Sequence, residues 1–320
     1  MVMLALLHRE WLEHNRAFIY APLVIVVLIV IAGLRFAPVM DVDLALDIDA
    51  EDRQSMVLQG NSDAGEDGVS VFALINSLAL DVAGSTDEEL YGKLSAIMKF
   101  VAIPFYWVFL IMALFALVSM LYEERKDRSI LFFKSMPIAD WQTVLSKYAF
   151  VAWLAPIVTI GMILVSQLFL LTMLSFNAES GLGGRIWENS GVLDHLLQMI
   201  VGFALNGLVV LPVFGWFLLV SSWVKHVPFV LAAGIPFWIV VLEGILLDTG
   251  VVRSFIAYHA SMPTLPRPMV EGELPDPEIR MMTLGDLFGV FTQGQFWIGV
   301  VIGLLFLAAA VYVRGVRNES

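Results

Sequence analysis

Apolar residues gather into six long runs, about 17–38, 100–122, 148–174, 196–222, 227–247 and 295–313, with polar stretches between them. A hydrocarbon layer about 30 Å thick is crossed by roughly 20 consecutive apolar residues in helical form, so each run predicts one membrane span. Pro22, Pro104, Pro156, Pro212 and Pro236 fall inside these runs or near their starts. In lipid, neighbouring helices re-satisfy the carbonyl that a proline frees, which predicts kinks instead of breaks. The alternating ten-residue segments of a membrane barrel are not the dominant pattern. The expected fold is an all-α polytopic membrane protein with six transmembrane helices.

The polar stretches are not uniform. Residues 1–16 carry too much charge to span, but Leu4, Leu7 and Trp11 recur at helical spacing with Arg9, Glu13 and Arg16 elsewhere on the wheel. That pattern predicts an interfacial amphipathic helix, carrying Arg9, Glu10, Trp11 and Arg16, ahead of a six-helix transmembrane domain over 17–320. Between the first two spans, residues 39–99 open with Val42, Leu44, Leu46 and Ile48 alternating with Asp41, Asp43, Ala45, Asp47 and Asp49. Period-two alternation predicts a half-buried strand with one acidic face. Residues 69–82 read as helical, and Ser85 with Glu88 predicts a capping box leading into the second span. Residues 248–294 form a second long segment, proline-rich from Pro263 to Pro277, with Thr283 and Asp286 expected to cap a short helix.

Composition supports the membrane reading. Hydrophobic residues make up 59 % and charged residues 15 %, against about 25 % charged in soluble domains. The net charge is −12, and its distribution sets the orientation. With the N-terminus inside, the inner segments hold ten basic residues against seven acids, while the outer segments hold eight against 22. The short, basic inner loops place both termini in the cytoplasm. The absence of cysteine excludes disulfides and thiol chemistry. No basic stripe favours nucleic acid, and no G-x-x-x-x-G-K-[ST] offers a nucleotide site. The acids at 41–52 fail the calcium-loop pattern, since Ala45 stands at the third ligand position and no glycine follows. No residues are read as metal ligands or as catalytic, and no cofactor is expected in this chain.

Asn206, Gln167 and Glu243 are polar residues well inside the apolar runs. Asn206 and Gln167 are expected to bond a neighbouring helix. Glu243, about one turn from the outer end of the fifth span, is read either as a pathway or packing residue or as an interfacial acid reaching water.

The remaining feature is a short charged segment between the second and third spans, 123–147. Glu123, Glu124, Arg125, Lys126, Asp127 and Arg128 end an apolar run; Ser129 opens a short one through Phe132 and Phe133 to Lys134; Pro137 stops it. Proline disfavours helix at the preceding residue, so this run holds about two turns. Asp140 is expected to cap the next helix. A short apolar helix flanked by charge can seat its anchors in a partner's groove. Lys225-His226-Val227-Pro228, between the fourth and fifth spans, is either a second contact or a plain tight turn.

Glu124-Arg125 followed by Ser129, Lys134-Ser135-Met136-Pro137 and Lys147 resembles the first cytoplasmic loop of the ABC-2 type transporter permeases. Ala139 stands where serine or threonine is commoner in that family. The resemblance extends over most of the chain, through HREWLEHNR before the first span and SSWVKHVPF between the fourth and fifth. It implies the permease subunit of an ATP-driven exporter in a bacterial inner membrane. It also implies a dimer of such subunits, homo- or heteromeric, with separate ATP-binding subunits that hold the ATP and Mg²⁺. Glu124, Arg125, Arg128, Ser129, Phe132, Phe133, Lys134 and Pro137 would then form the ATPase-coupling interface. Two other readings stay open: ATPase-coupled mechanical signalling without transport, and an ion-coupled secondary transporter, for which Glu243 is the sole intramembrane acid.

Overall fold

The computed structural model describes residues 2–43, 84–127, 138–178, 182–260 and 287–316. Ten helices dominate them: α1 (Val2–Asp43), α2 (Asp87–Lys126), α3 (Asp140–Ala149), α4 (Ala155–Asn177), α5 (Gly183–Glu188), α6 (Val192–Val209), α7 (Leu211–Trp223), α8 (Pro228–Leu246), α9 (Val251–Ala260) and α10 (Gly294–Val316). A π-helical turn, Phe150–Leu154, joins α3 to α4, and a 3-10 turn, Gly289–Thr292, precedes α10. No strand occurs among the described residues.

Six stretches are long and apolar enough to cross a membrane: Val2–Ala32, Asp87–Lys126, Asp140–Phe176, Gly183–Val209, Pro228–Leu246 and Gly294–Val316. The chain is an all-α, multi-pass membrane protein. Bare apolar side chains such as Leu28, Trp107, Ile111, Trp238 and Leu305 stand exposed along these helices. Lipid is the solvent such faces require.

Some of the prolines fall within unbroken helices. Pro104 and Pro236 lie inside continuous helices, whereas Pro156 is the second residue of α4, one position past the π turn. The expected fourth span is interrupted: α6 stops at Val209 and α7 restarts at Leu211. Pro212, at the start of α7, has no amide to donate to the turn before it. The ladder resumes at once, from Phe214 N–H to Val210 O at 2.9 Å.

Several local expectations move. The segment at 1–16 is one helix with the first span, and α1 runs without a break to Asp43. Asp41 and Asp43 are therefore helical, because an extending helix bonds its own backbone whereas an isolated strand needs a partner. The remainder of the alternating stretch lies outside the described residues, as do the expected helix at 69–82 and the segment from Pro263 through Asp286. The capping box before α2 sits one residue later than expected. Thr86 N–H donates to Glu89 Oε2 at 3.1 Å and Glu89 N–H to Thr86 Oγ1 at 3.3 Å. Asp140 is not the cap of α3; that position is Ala139, whose amide donates to Gln142 Oε1 at 3.1 Å. Helix α9 falls within what the sequence presents as an outer loop.

Contacts divide the chain into two units. One comprises Met1–Pro22, Pro104–Gly161 and Leu197–Ser320. Its buried rings form a chain: Phe18 lies against Phe109 and Phe150, and Phe109 stands edge-on to Phe203. Here α7 and α10 cross at contact distance. A Cβ at Gly303 would lie 2.5 Å from Leu211 Cγ and 2.8 Å from Pro212 N, so only glycine permits the crossing.

The other unit comprises Leu23–Ile103 and Met162–Leu196. Leu90, Leu94, Met98, Ile163 and Ile186 are buried in it. Arg185 bonds Asp87 at 2.7 Å, and Tyr91 donates to Asp194 at 3.4 Å. Buried Gln167 donates to Met98 O at 3.1 Å and meets His195 Nδ1 at 2.9 Å, the interhelical bonding expected of it.

Candidate functional site

Six charged residues of the first unit, Arg9, Glu10, Glu124, Asp140, Lys147 and Arg314, converge where α2 ends and α3 begins. Glu124 lies two residues from the end of α2, and Asp140 opens α3. Lys147 follows Asp140 by seven residues, two helical turns, so both project from one side of α3. The buried face of α3 includes Thr143, Val144, Ser146, Lys147 and Tyr148, whereas Trp141 is exposed. On α1, Leu6, Glu10 and Phe18 are buried along a single stripe at multiples of four residues.

These residues form a continuous ion network. Lys147 Nζ sits 2.9 Å from Glu10 Oε1 and 2.9 Å from Glu124 Oε1. Arg314, in the last turn of α10, reaches Glu124 Oε2 at 2.6 Å through Nη1 and Asp140 Oδ1 at 2.9 Å through Nε. Arg9 lies 3.5 Å from Glu124 and pairs with Glu13 at 2.9 Å. Glu10 is 0 % exposed, Lys147 1 %, Arg314 4 % and Glu124 5 %. At such burial each ion loses several kcal/mol of hydration, which only close, hydrogen-bonded partners offset. Every one of these four has such a partner within 2.9 Å.

A second set of bonds fixes the same end of α2 to α7. Leu121 N–H and Tyr122 N–H both donate to Ser221 Oγ, at 3.2 and 3.0 Å, and Ser221 Oγ donates to Val118 O at 2.5 Å. Arg125 Nη2 donates to Ser221 O at 2.6 Å and to Val224 O at 2.8 Å. A guanidinium is well suited to carbonyls left open at a helix C-terminus. Lower on α3, Tyr148 hydroxyl bonds Gly207 O and Trp153 Nε1 donates to Ala204 O at 3.2 Å, joining α3 and its π turn to α6. The segment between α2 and α3 thus emerges from, and returns to, one rigidly bonded platform.

Residues 93–262, just over half of the chain, match the model of a family described as ABC-2 family transporter protein. The chain belongs to the ABC-2 transporter family. No curated protein and no solved structure matches it. Membership makes it a membrane permease of ABC-type transport, a subunit type that associates with an ATP-binding ABC subunit. Within the permease the matched stretch contains Glu124, Asp140 and Lys147, whereas Arg9, Glu10 and Arg314 lie outside it.

The residues that the sequence assigns to coupling divide into two groups. Glu124 and Arg125 turn inward, into the network and onto α7. Arg128, Ser129, Phe132, Phe133, Lys134 and Pro137 lie outside the described residues. Of the interfacial set, Arg9 and Glu10 join the network, Trp11 stands edge-on to Phe150 with ring centroids 6.5 Å apart, and Arg16 is exposed. Leu4 and Leu12 are exposed, so the protein-facing stripe runs through Glu10 instead of along the Leu4–Leu7–Trp11 row.

The intramembrane residues also find places. Glu243 binds the start of α9: its carboxylate accepts from Val252 N–H at 3.0 Å, Arg253 N–H at 3.3 Å and Thr249 Oγ1 at 3.0 Å. It fills the role that a capping side chain has at a helix N-terminus. Asn206 is buried on α6, its Oδ1 meeting no donor among the described residues. Val227 opens α8 with φ 45, a left-handed conformation that strains a β-branched residue, so the turn before Pro228 is tight.

Arg314 is the residue that sequence reasoning missed. It reads as one more inner positive charge near the end of the last span, and its partners lie 190 and 174 positions away.

Proposed function

We propose that the chain is the membrane-spanning subunit of an ATP-driven exporter in a bacterial inner membrane, with both termini in the cytoplasm. In this reading a second permease subunit completes the path, and separate ATP-binding chains hold the ATP and Mg²⁺. The segment 128–137 docks on the ATP-binding subunit through Phe132, Phe133 and Lys134. Glu124 and Arg125 act from within the permease, holding the segment's base.

The observation that supports this reading is Arg314 bridging Glu124 and Asp140, the two flanks of that segment. A push on the segment meets α1, α2, α3 and α10 joined by one ion network, not a slack loop. Packed helices move between discrete arrangements, so a displacement at a stiff base can be carried along several spans together. The engagement of the Glu243 carboxylate by the amides of α9 supports a helix-capping role for it over ion coupling.

Co-purification tests the docking. The wild-type chain in mild detergent retains an ATPase carrying a G-x-x-x-x-G-K-[ST] motif. The double variant Phe132→Ala/Phe133→Ala loses it while remaining monodisperse. Failure of wild type to retain such a partner, or its undiminished retention by the variant, overturns the proposal.

A further inference from the structure

Among the described residues, Glu10, Glu13 and His14 on α1 offer one ligand atom each, and these atoms all lie within 4.8 Å of one another. The spacing i, i+3, i+4 places the three on adjoining turns of one helix face. A first-row ion held at about 2.0–2.2 Å by nitrogen and carboxylate oxygen brings its ligands to roughly 3–4 Å from each other. His14 Nε2 stands 3.8 Å from Glu10 Oε2, already near that separation.

A second, independent observation points to a ligand. Glu10 is fully buried and its Oε1 is taken by Lys147 at 2.9 Å, but its Oε2 has no hydrogen-bond partner among the described residues. A buried carboxylate oxygen left in that condition is costly, and this one is aimed at the His14 ring. Lys147 on Oε1 then serves as the outer-shell partner that orients a ligating carboxylate.

The opposing charges decide whether a cation can enter. Arg9, Lys147 and Arg314 face Glu10, Glu13, Glu124 and Asp140, an excess of one acid with His14 neutral. Arg9 competes for Glu13, whose side chain is 45 % exposed. An exposed i, i+4 pair of this kind contributes little, so it yields readily. The partly exposed His14 and Glu13 leave the site open to solvent on one side. His14 is braced against Phe150, with ring centroids 6.1 Å apart.

We infer that Glu10, Glu13 and His14 form a binding site for a divalent first-row transition ion such as Zn²⁺, with water completing its coordination. Imidazole beside two carboxylates favours such an ion over Mg²⁺ or Ca²⁺, which take oxygen ligands. This inference does not depend on the transport reading.

The test uses the full chain without a histidine tag, purified in detergent, stripped with chelator and titrated with Co²⁺ alone. Visible absorption should report one ion per chain, displaced by Zn²⁺. Glu13→Gln and His14→Ala should each weaken binding by more than the ~10–100-fold that loss of an outer-shell partner costs. His8→Ala, an exposed histidine on the same helix, should leave it unchanged. Both ligand variants avoid the fully buried Glu10, and metal-free melting confirms that they fold. Absence of Co²⁺ uptake by wild type, uptake undiminished in Glu13→Gln and His14→Ala, or loss only in His8→Ala would overturn the assignment.

Discussion

Arg314, in the last turn of α10, lies 2.6 Å from Glu124, a residue 190 positions earlier at the end of α2. Both side chains are buried, and the same guanidinium holds Asp140 at the start of α3. Removing one member of a buried pair strands the other, at a cost of about 3–5 kcal/mol. Arg314→Ala and Glu124→Ala should each lower the melting temperature in detergent. The double variant should fall short of the sum of the two losses, a coupling readable in a double-mutant cycle. Strict additivity would mean that the pair contributes nothing.

Lys147 makes a sharper case, because it lies between two carboxylates, Glu10 and Glu124. Lys147→Met should destabilise by about 3 kcal/mol or more, since it leaves two buried acids facing each other. Glu10→Gln in the same chain should recover part of that loss by deleting one of them. Chemical denaturation of the single and double variants in the same detergent decides the point.

Glu243 serves α9 through Val252 and Arg253. Glu243→Ala should speed amide hydrogen exchange at these two positions and leave the ion network untouched. A role in ion coupling would instead leave exchange there unchanged and remove transport.

Gly303 admits α7 to α10. Gly303→Val should abolish monodisperse expression, because Leu211 and the backbone at Pro212 occupy the space its side chain needs. Gly234, which has open space at its Cβ position, should accept alanine without loss.

The spans were legible because a membrane helix is a local pattern: twenty apolar residues suffice, whichever partners they meet. Fine local structure was nearly so. The capping chemistry of α2 is present but operates through Thr86 and Glu89, because Ser85 and Glu88 offer the same residue types one step earlier. Helix α9 hid within a long outer segment, although Val252, Phe255, Ile256 and His259 recur at helical spacing. Its cap comes from Glu243 on the preceding span, which no window confined to α9 contains. At the candidate site the sequence singled out Glu124 and Arg125 as partner contacts, whereas both side chains turn inward, onto Lys147 and onto α7. Charges beside a predicted loop read as solvated, and only tertiary structure shows them buried. Arg314 had no local signal at all, because the acids that make it necessary lie on α2 and α3.

In the proposed exporter, the network around Glu124 and Arg314 carries motion from the ATP-binding partner into the spans. The chain contains no cysteine, so two can be introduced for spin labels without background. Trp141 on α3 and Phe237 on α8 are both exposed and suit the purpose. Their separation should be measured in the permease–ATPase complex, with and without trapped ATP, in the labelled parent and in the same chain carrying Arg314→Gln. The distance should change with nucleotide in the parent and stay fixed in Arg314→Gln while the ATPase remains bound. An equal change in both would contradict this role of the network.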